Sequence, residues 1–567
     1  MRSSPSGRAR PFAAAALAGL CLLTASRAAD TAPAPRPAPA VPLTIASAVE
    51  LDKALMADIK SKSEIMKNLQ YLSDVIGPRL TGSKNLERAN KWTADKMKEY
   101  GLENVRLEPW EIPIGWERGT ASMKVIEPET NLQLIVASGG WRPGTNGKVT
   151  GPVVIFNPKS KDEQAKYKGK LKNAVVLLRP PSTVAPITNL DYGPGGGGAK
   201  KGEAKKDDPK EEKKVVKDPG LIFALQPPEK KAEQPPAKKD ETKKDDAQPP
   251  RKGGGFGGFG FGADTEFLKA EGVACTVSDS GKPHGLLVTT GGWRGGDRGS
   301  QDQLPQLYMA HENYAMLWRL ASRPEPAVTR VEVEIRNTFI PGPIVVNNTV
   351  GEVRGSEKPD EIIVVGAHLD SWELGTGTTD NGTGSCIVLE TARVVAKMAK
   401  EGQRPKRTIR FCLFTGEEQG LHGSKQYTER HKDALDKHSL CIVHDTGTGK
   451  VTGFGLQGRE NIKSILETEL VSLKDVDGWK GNTMGGIGGG TDHWSFHLKG
   501  VPGFACNQDM DEYRLTHHTQ SDTFDKAKEP NLIQGAQVMA VTATRVANLP
   551  DLLPRSKAAV PAKKAKD

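Results

Sequence analysis

The sequence lacks several features that would assign it to common protein classes. Beyond the first 28 residues, no apolar run is long enough to suggest a membrane span. No CxxC pair or Cys/His zinc pattern occurs, which argues against a zinc-finger module. The glycine-rich run at 485–490 lacks the Lys-Ser/Thr ending of a phosphate-binding loop. No basic segment is interleaved with aromatic residues, so nucleic-acid binding is not expected.

Apolar residues are also scarce. They make up 36% of the 567 residues, which is low for a wholly folded chain. The shortage is greatest in residues 193–262, which are rich in Lys, Glu, Pro and Gly. We expect a disordered insertion there, because this composition cannot bury a core. Lysines concentrate in residues 199–252 and 557–567, so we interpret the net charge of +10 as solvation of such segments.

The N-terminus has the composition of a secretory signal. Three arginines within the first ten residues precede an apolar stretch at 12–24, and small residues follow. This order predicts a signal peptide at 1–28, cleaved after Ala28, and a linker at 29–45. We therefore expect the mature protein to be secreted or periplasmic.

Five cysteines would remain after this cleavage, which is an odd number. Three lie in strand-like runs and one in a helix-like run, so we interpret the cysteines as buried small hydrophobic residues, with one disulfide as the alternative. They are Cys275, Cys386, Cys412, Cys441 and Cys506.

Strand-like and helix-like segments alternate over residues 326–552. This pattern predicts an α/β catalytic domain with a mixed, mostly parallel sheet flanked by helices. Residues 46–125 carry two helical patterns and one strand, and we assign them to the same domain. Residues 126–325 hold short apolar runs typical of a β-rich module, and residues 553–567 are predicted to be a disordered tail.

Charged side chains follow the apolar strands of the catalytic region. His368 ends IIVVGAH, Glu417 and Glu418 end RFCLFTGEE, and Asp445 ends CIVHD. Ligands bind beyond the carboxyl ends of strands in such sheets, so these side chains should share one rim. Asp380 lies in a turn rich in glycine and threonine before a helix, where the helix N-terminus favours an anion.

Together with His518, these residues suit zinc, which accepts imidazole nitrogen and carboxylate oxygen. Two zinc ions need a carboxylate that can bridge them, and Asp380 is our candidate because its small neighbours permit close approach. His368 and Asp445 can complete one ion, and Glu418 and His518 the other. The expected cofactors are two Zn2+ ions per chain.

Two carboxylates have expected roles other than metal binding. Asp370 follows His368 by two residues and is predicted to accept that imidazole's second N–H. Glu417 is adjacent to Glu418, and adjacent residues of an extended segment point in opposite directions. Glu417 is therefore the predicted general base, which takes a proton from water and passes it to the leaving amine.

Five motifs resemble, in the same order, those of the co-catalytic zinc aminopeptidases. They are GAHLDSW, TTDNGTG, TGEEQGLHGS, HDTGTG and HHTQSDT. Within that family the chain resembles the carboxypeptidase Q (plasma glutamate carboxypeptidase) group, through GPRLTGS at 77–83, Trp110 and HLDSW. The resemblance covers about residues 60–190 and 265–545. It implies a zinc exopeptidase, an aminopeptidase or dipeptidase, that acts on peptides or dipeptides.

The resemblance also implies details of the site. His518 is preferred to His517 because the family's ligand stands four residues before the aspartate of a closing pair, here Asp522-Thr523. Asn381 departs from the second aspartate of many relatives, which leaves the bridging ligand intact and should alter its hydrogen bonding. The sequence KYKGKLKNAVVLL resembles a protease-associated domain, so we predict that residues 126–325 are such an inserted domain.

Three further residues are candidates for substrate contact or oxyanion stabilisation: Tyr513, Asp492 and His493. Tyr513 could equally be an aromatic lid contact, and His493 a packed core residue. Two other functions stay open. One is a glutaminyl cyclase-like acyltransferase on the same fold, and the other is a non-catalytic, receptor-like ectodomain. We also consider a homodimer.

Overall fold

A computed structural model describes residues 45–184, 261–293, 301–510 and 512–555, all within one compact unit, Val41–Asp567. The predicted signal peptide and, apart from Ile45, the linker lie outside these ranges. So does the predicted insertion, except for Phe261 and Gly262, which begin a helix. Among the described residues we find no helix with both the length and the apolar character that crossing a membrane requires.

The described ranges contain fifteen strands and twelve α-helices. The strands are β1 (Glu103–Glu117), β2 (Ala121–Glu127), β3 (Gln133–Leu134), β4 (Val136–Ser138), β5 (Val149–Ile155), β6 (Val175–Leu177), β7 (Cys275–Asp279), β8 (Gln306–Met309), β9 (Arg330–Ile335), β10 (Thr338–Val353), β11 (Lys358–His368), β12 (Arg407–Phe414), β13 (His438–Val443), β14 (Val451–Phe454) and β15 (Gly503–Gln508). The helices are α1 (Ile45–Lys62), α2 (Ile65–Gln70), α3 (Lys84–Tyr100), α4 (Lys161–Ala165), α5 (Phe261–Ala270), α6 (His311–Ala321), α7 (Thr383–Lys400), α8 (His422–Arg430), α9 (Glu460–Glu469), α10 (His493–Leu498), α11 (Tyr513–Thr516) and α12 (Glu529–Asn548).

One sheet has seven strands in the order β1-β10-β12-β11-β13-β15-β14. Strands β12, β11, β13 and β15 run parallel to one another. The sheet is extended at its sides by β10, β1 and β14, each antiparallel to the strand that it pairs with. Every residue of β12 and β13 is buried. Parallel strands covered on both faces read as continuous apolar runs, which is why the sequence predicts this part of the fold. The mixed α/β fold is confirmed.

Helices cover both faces of this sheet. Ile363, Val365 and Ala367 of β11 belong to the core that α1, α3, α7 and α12 complete. Ile362 and Val364 point to the other face, where Tyr427 of α8 and Phe496 of α10 pack with them. Successive side chains of a strand alternate between faces, so one strand supplies both cores.

Local signals set the boundaries of α3. The Ser83 hydroxyl accepts the Leu86 N–H at 3.2 Å, which caps the first turn. Gly101 has a φ of 86°, the left-handed conformation that ends a helix and that glycine adopts without steric cost. One of the two helical patterns expected in residues 46–125 is therefore α3, and these two residues set its ends.

A second sheet has eight strands in the order β3-β2-β9-β5-β6-β7-β8-β4 and spans Ala121–Ile335. The predicted domain boundary at 326 is wrong for β9, which pairs with β2 and β5. Only Val331, Val333 and Ile335 of β9 are fully buried. Buried and partly exposed side chains thus alternate along β9, as is typical of an antiparallel strand with one covered face. That this sheet is a protease-associated domain stays a prediction.

The predicted tail begins too early. Leu553 is 2% exposed, and its N–H donates to the Ser439 hydroxyl at 3.0 Å. Arg555 donates to the carbonyl of His438 at 2.8 Å. Residues 553–555 therefore pack beside β13, because the Leu553 side chain is buried there and the Arg555 guanidinium forms a hydrogen bond there. Residues 556–567 lie outside the described part of the chain.

The five cysteines of the described residues are all buried and unpaired. Their interpretation as small hydrophobic core residues is confirmed, and the alternative of a disulfide among them is wrong.

A buried polar network connects β10, β12, α8 and β13. Arg410 donates to Glu352 at 2.8 Å and to the Tyr427 hydroxyl at 2.7 Å. That hydroxyl must then donate to His438 Nε2, 3.0 Å away, while Nδ1 lies 2.9 Å from the Ala434 carbonyl. His438 is therefore neutral with its proton on Nδ1, and burial lowers its pKa to about 4.

We expect acid to destabilise the protein partly through His438. The pKa of His438 in the folded protein lies below the ordinary histidine value of 6.5, so the unfolded chain binds the proton first as pH falls. The resulting loss of unfolding free energy is negligible at pH 7 and reaches roughly 2 kcal/mol at pH 4.5. Urea unfolding at both pH values should show a smaller acid-induced loss of unfolding free energy in His438→Gln than in the wild type. Equal losses would contradict this role.

Candidate metal centre

The predicted site residues lie together at one edge of the seven-stranded sheet. His368 is the last residue of β11, Glu417 and Glu418 follow the end of β12, and Asp445 follows β13. These strands are parallel neighbours, so their carboxyl ends meet at the same edge. Asp380 lies in the turn Thr378–Gly382 that leads into α7.

A first group of ligand atoms surrounds His368. Its Nε2 lies 2.9 Å from Asp445 Oδ1 and 3.3 Å from Asp380 Oδ1. One ligand atom from each of these three residues lies within 4.8 Å of the other two. The three side chains are buried. This set matches the sequence-based expectation for one ion.

A second group uses the other oxygen of the same aspartate. Asp380 Oδ2 lies 3.5 Å from His518 Nε2 and 3.9 Å from His517 Nε2. His518 Nε2 is also 2.9 Å from Glu418 Oε2, whereas the side chain of His517 is 45% exposed. The sequence prefers His518 to His517, but a ring nitrogen of each histidine and one Asp380 oxygen all lie within 4.8 Å of one another. Asp380 thus presents one oxygen to each group.

Two atoms of this cluster have no hydrogen-bond partner: Asp380 Oδ2 and Glu418 Oε1, both buried. A buried carboxylate oxygen without a partner is costly, and a cation removes that cost. Carboxylate oxygens and imidazole nitrogens are ligands that zinc accepts. The residues therefore fit a metal centre with two adjoining positions.

The electrostatics of the cluster point the same way. Burial lowers the pKa of His518 to about 4, so this imidazole is neutral at pH 7 and offers a lone pair. Burial raises the pKa of Glu418 well above its ordinary range, and the charge of Asp380 adds to the effect. Excess negative charge in a buried cluster favours a bound cation, which would lower the pKa of Glu418 and keep His518 neutral.

Asp370 contacts the His368 ring through its backbone rather than through its side chain. The Nδ1 of His368 lies 2.9 Å from the carbonyl oxygen of Asp370 and 3.7 Å from its carboxylate. The carboxylate instead accepts the Thr81 hydroxyl at 2.9 Å and the N–H groups of Glu417 and Glu418 at 3.3 and 3.4 Å. Asp370 thus accepts the second N–H of His368 as predicted, but through its carbonyl oxygen, because its carboxylate is held by Thr81 and by the Glu417-Glu418 turn.

Asp522 holds the turn that carries Asp380. Its carboxylate accepts the N–H of Thr379 at 2.5 Å and that of Asp380 at 3.2 Å, and its carbonyl accepts the N–H of Thr376 at 2.7 Å. The sequence uses Asp522 only to align the family motif. Its part in orienting Asp380 becomes visible only when the two segments meet.

Asn381 connects the same turn to β13. Its side-chain N–H donates to the His444 carbonyl at 2.8 Å, and its Oδ1 accepts the N–H of Gly384 at 2.9 Å. An aspartate here would place a carboxylate oxygen against that carbonyl. The expected change in hydrogen bonding is therefore an amide bridge between the Asp380 turn and the residue before Asp445.

A buried arginine holds the loop between His368 and Asp380. Arg79 is fully buried, and its guanidinium donates to the carbonyls of Leu369, Thr376 and Gly377 at 2.7, 2.9 and 2.6 Å. Burial lowers its pKa to about 10, so it stays charged at pH 7. The sequence uses GPRLTGS only as a resemblance and does not reveal this contact.

We expect Arg79→Met to destabilise the protein by about 2–4 kcal/mol, because it removes a buried donor group and leaves several carbonyls unpartnered. Chemical unfolding of the metal-free protein measures this effect. Arg88→Met, at a position whose side chain is exposed, serves as a control that should change stability by less than about 0.5 kcal/mol. An Arg79 variant as stable as the control would contradict the role.

The three substrate-pocket candidates differ in their surroundings. Tyr513 packs its ring against Gly447, near Asp445. Asp492 is fully buried, neither of its carboxylate oxygens has a hydrogen-bond partner, and burial raises its pKa to about 7. His493 is also buried, and its Nε2 lies 3.1 Å from the Gln457 amide nitrogen. This places His493 in a packed contact between the 457 and 493 segments, whereas the roles of Tyr513 and Asp492 stay predictions.

Comparisons with known proteins agree with this geometry. Residues 348–543 match the model of Peptidase family M28. Carboxypeptidase Q of Mus musculus is 28% identical over 502 residues, which cover 88% of each chain. Carboxypeptidase Q of Homo sapiens is 27% identical over 505 residues, again with 88% of each chain covered. The resemblance inferred from the motifs is confirmed.

Solved structures share the fold. The Peptidase M28 precursor of Shewanella amazonensis SB2B has a TM-score of 0.66 at 22% identity, with 90% of this chain and 100% of that chain covered. BSAP, a zinc aminopeptidase from Bacillus subtilis, has a TM-score of 0.54 at 16% identity, with 84% and 94% covered. These matches support the mixed α/β architecture. Residues 348–543 thus match Peptidase family M28, and the chain that carries them is a metallo-exopeptidase.

Proposed function

We propose that this protein is an exported two-zinc exopeptidase that removes the N-terminal residue of peptides or splits dipeptides. The observation that carries the proposal is the position of Asp380, whose two oxygens face two separate groups of ligand atoms. The names of its relatives, carboxypeptidase Q and zinc aminopeptidase, agree with exopeptidase chemistry.

In this proposal His368 and Asp445 would hold one ion with Asp380, and Glu418 and His518 would hold the other. Two zinc ions bound there supply Lewis-acid charge that polarises a peptide carbonyl and acidifies a water molecule. Asp522 and Asn381 keep the shared aspartate in place, and Asp370 keeps Glu417 and Glu418 in place.

Glu417 is the proposed proton carrier. Its N–H donates to Asp370 at 3.3 Å, which anchors it beside Glu418. Burial raises its pKa well above its ordinary range, while His368 opposes that shift and Asp445 adds to it. A carboxylate with a raised pKa can take a proton from water and later deliver it to the leaving amine.

Tyr513 is the proposed oxyanion donor. Burial raises the pKa of its hydroxyl well above the ordinary value, and the neighbouring charge of Asp380 adds to that effect. The hydroxyl therefore stays protonated at neutral pH, as a hydrogen-bond donor to a developing negative charge must. We also propose that the second sheet is a protease-associated module.

Removal of metal tests the proposal. Purified protein should contain close to two zinc ions per chain, hydrolyse dipeptides or aminoacyl-nitroanilides, lose this activity to a chelator and regain it with added zinc. A dipeptide library, digested with and without the chelator, would then define the preferred side chains.

Other outcomes would assign another function. A protein that holds about one zinc ion, cleaves no peptide and cyclises N-terminal glutamine would be a cyclase. A protein that binds no zinc and cleaves nothing would support a receptor-like ectodomain. Either result would overturn the peptidase proposal.

A further inference from the structure

We propose that the eight-stranded sheet takes part in building the metal centre, with Lys282 as a positioning residue for the loop that carries His517 and His518. The inference rests on the proposed two-metal function. It concerns residues 282–289, which follow β7 and which we call the docking segment. The docking segment lies against residues 514–520 of the catalytic region.

Lys282 makes the first connection. Its Nζ donates to the carbonyl oxygen of Arg514 at 2.7 Å and to that of His517 at 2.6 Å. Both acceptors are backbone atoms, so the ammonium group fixes the course of the chain immediately before His518. Hydrogen bonds from a charged donor are stronger than neutral ones.

A β-type contact makes the second connection. The N–H of Thr289 donates to the carbonyl of His518 at 3.0 Å, and Val288 pairs with Thr519 in an antiparallel bridge. The carbonyl of the proposed ligand residue itself is therefore held by the docking segment.

Gln520 makes the third connection from the opposite side. Its Oε1 accepts the N–H of Leu287 at 2.8 Å, and its Nε2 donates to the carbonyl of Gly285 at 3.1 Å. One side-chain amide thus satisfies a donor and an acceptor of the docking segment. This reciprocal pairing fixes the register between the two segments.

His518 has a backbone that needs such support. Its φ is 61°, in the left-handed region that residues other than glycine seldom adopt. A conformation of this kind persists when surrounding contacts determine it. The ring is also flanked by Trp372, whose centroid lies 6.1 Å away in an edge-on arrangement.

The two metal positions differ in how they are attached to the fold. His368 and Asp445 lie at the ends of β11 and β13, inside the core sheet. His518 lies in a loop outside that sheet and is bonded to the docking segment. Loss of the docking contacts should therefore weaken the position formed by Glu418 and His518 and leave the position formed by His368 and Asp445 nearly unchanged.

Lys282→Met in the full chain tests the inference. Zinc titration against a competing chelator should show that one of the two ions binds at least about 10-fold more weakly, as for other residues that orient a ligand. In zinc-free protein, amide hydrogen exchange of residues 513–520 should be faster than in the wild type. Lys282→Arg, which keeps a charged donor, should restore much of both properties. Lys124→Met, on β2 of the same sheet, is the control and should change neither.

The outcomes separate this inference from the proposed function. Wild-type protein that binds no zinc would overturn the function, whatever the variants do. Wild-type protein with two zinc ions and a Lys282→Met variant with unchanged affinities and exchange would overturn the inference alone. Should Lys282→Met fail to fold, Gln520→Ala removes only a partly exposed amide and should give the same selective loss. Unchanged zinc binding in Gln520→Ala would then overturn the inference.

Discussion

Glu417→Gln is expected to lower kcat for peptide hydrolysis by about 10³-fold or more while zinc content stays at the wild-type level. The amide keeps the size of the side chain but cannot accept a proton from water. Glu417 is not one of the proposed metal ligands, so metal binding should survive its replacement. Zinc analysis and steady-state kinetics of the same preparation measure both properties.

The adjacent glutamate provides the matched control for this experiment. Glu418→Gln changes the same functional group one residue away, but Glu418 lies 2.9 Å from His518 and should hold metal. We therefore expect Glu418→Gln to lose zinc as well as activity. Full activity in Glu417→Gln would show that another group carries the proton.

Asp380→Ala is expected to remove zinc from both positions and to lower activity on the order of 10³-fold or more. The reason is that its two carboxylate oxygens serve the two groups of ligand atoms. Lewis-acid stabilisation by metal is worth several kcal/mol, and each 1.4 kcal/mol corresponds to a tenfold change in rate. Zinc per chain should fall from about two to well below one.

Asp445→Ala distinguishes a shared ligand from an ordinary one. Asp445 contacts only the first group, through His368, so this variant should keep the ion at the position of Glu418 and His518. If Asp380→Ala and Asp445→Ala lose the same amount of zinc, Asp380 does not bridge. Thermal unfolding of the metal-free variants verifies that both are folded.

Much of the fold follows from patterns that are local in sequence. The mainly apolar segments within β11, β12 and β13 predict buried parallel strands, and Ser83 and Gly101 mark the ends of α3. Local patterns did not predict the boundary between the two sheets. β9 begins four residues after the expected domain boundary, and only its pairing with β2 reveals its sheet.

The proposed ligands were also predictable, because each follows a strand end or occupies a family motif. The roles of the residues that support these ligands were harder to predict. Asp370 was assigned to His368 from a spacing of two residues, but its carboxylate is held by Thr81 and by the Glu417-Glu418 turn. Sequence spacing does not specify which of two nearby acceptors, a carbonyl or a carboxylate, an imidazole will contact.

The sequence alone determined the α/β class, the strand ends that carry charge and the identity of the ligand-type side chains. Those properties depend on residue type and on periods of two or about four positions. The tertiary structure alone decided that Asp380 faces both groups, that Arg79 holds the intervening loop and that Lys282, in the segment after β7, contacts the carbonyl of His517. Such contacts join residues tens to hundreds of positions apart, and their hydrogen bonds exist only after the chain has packed.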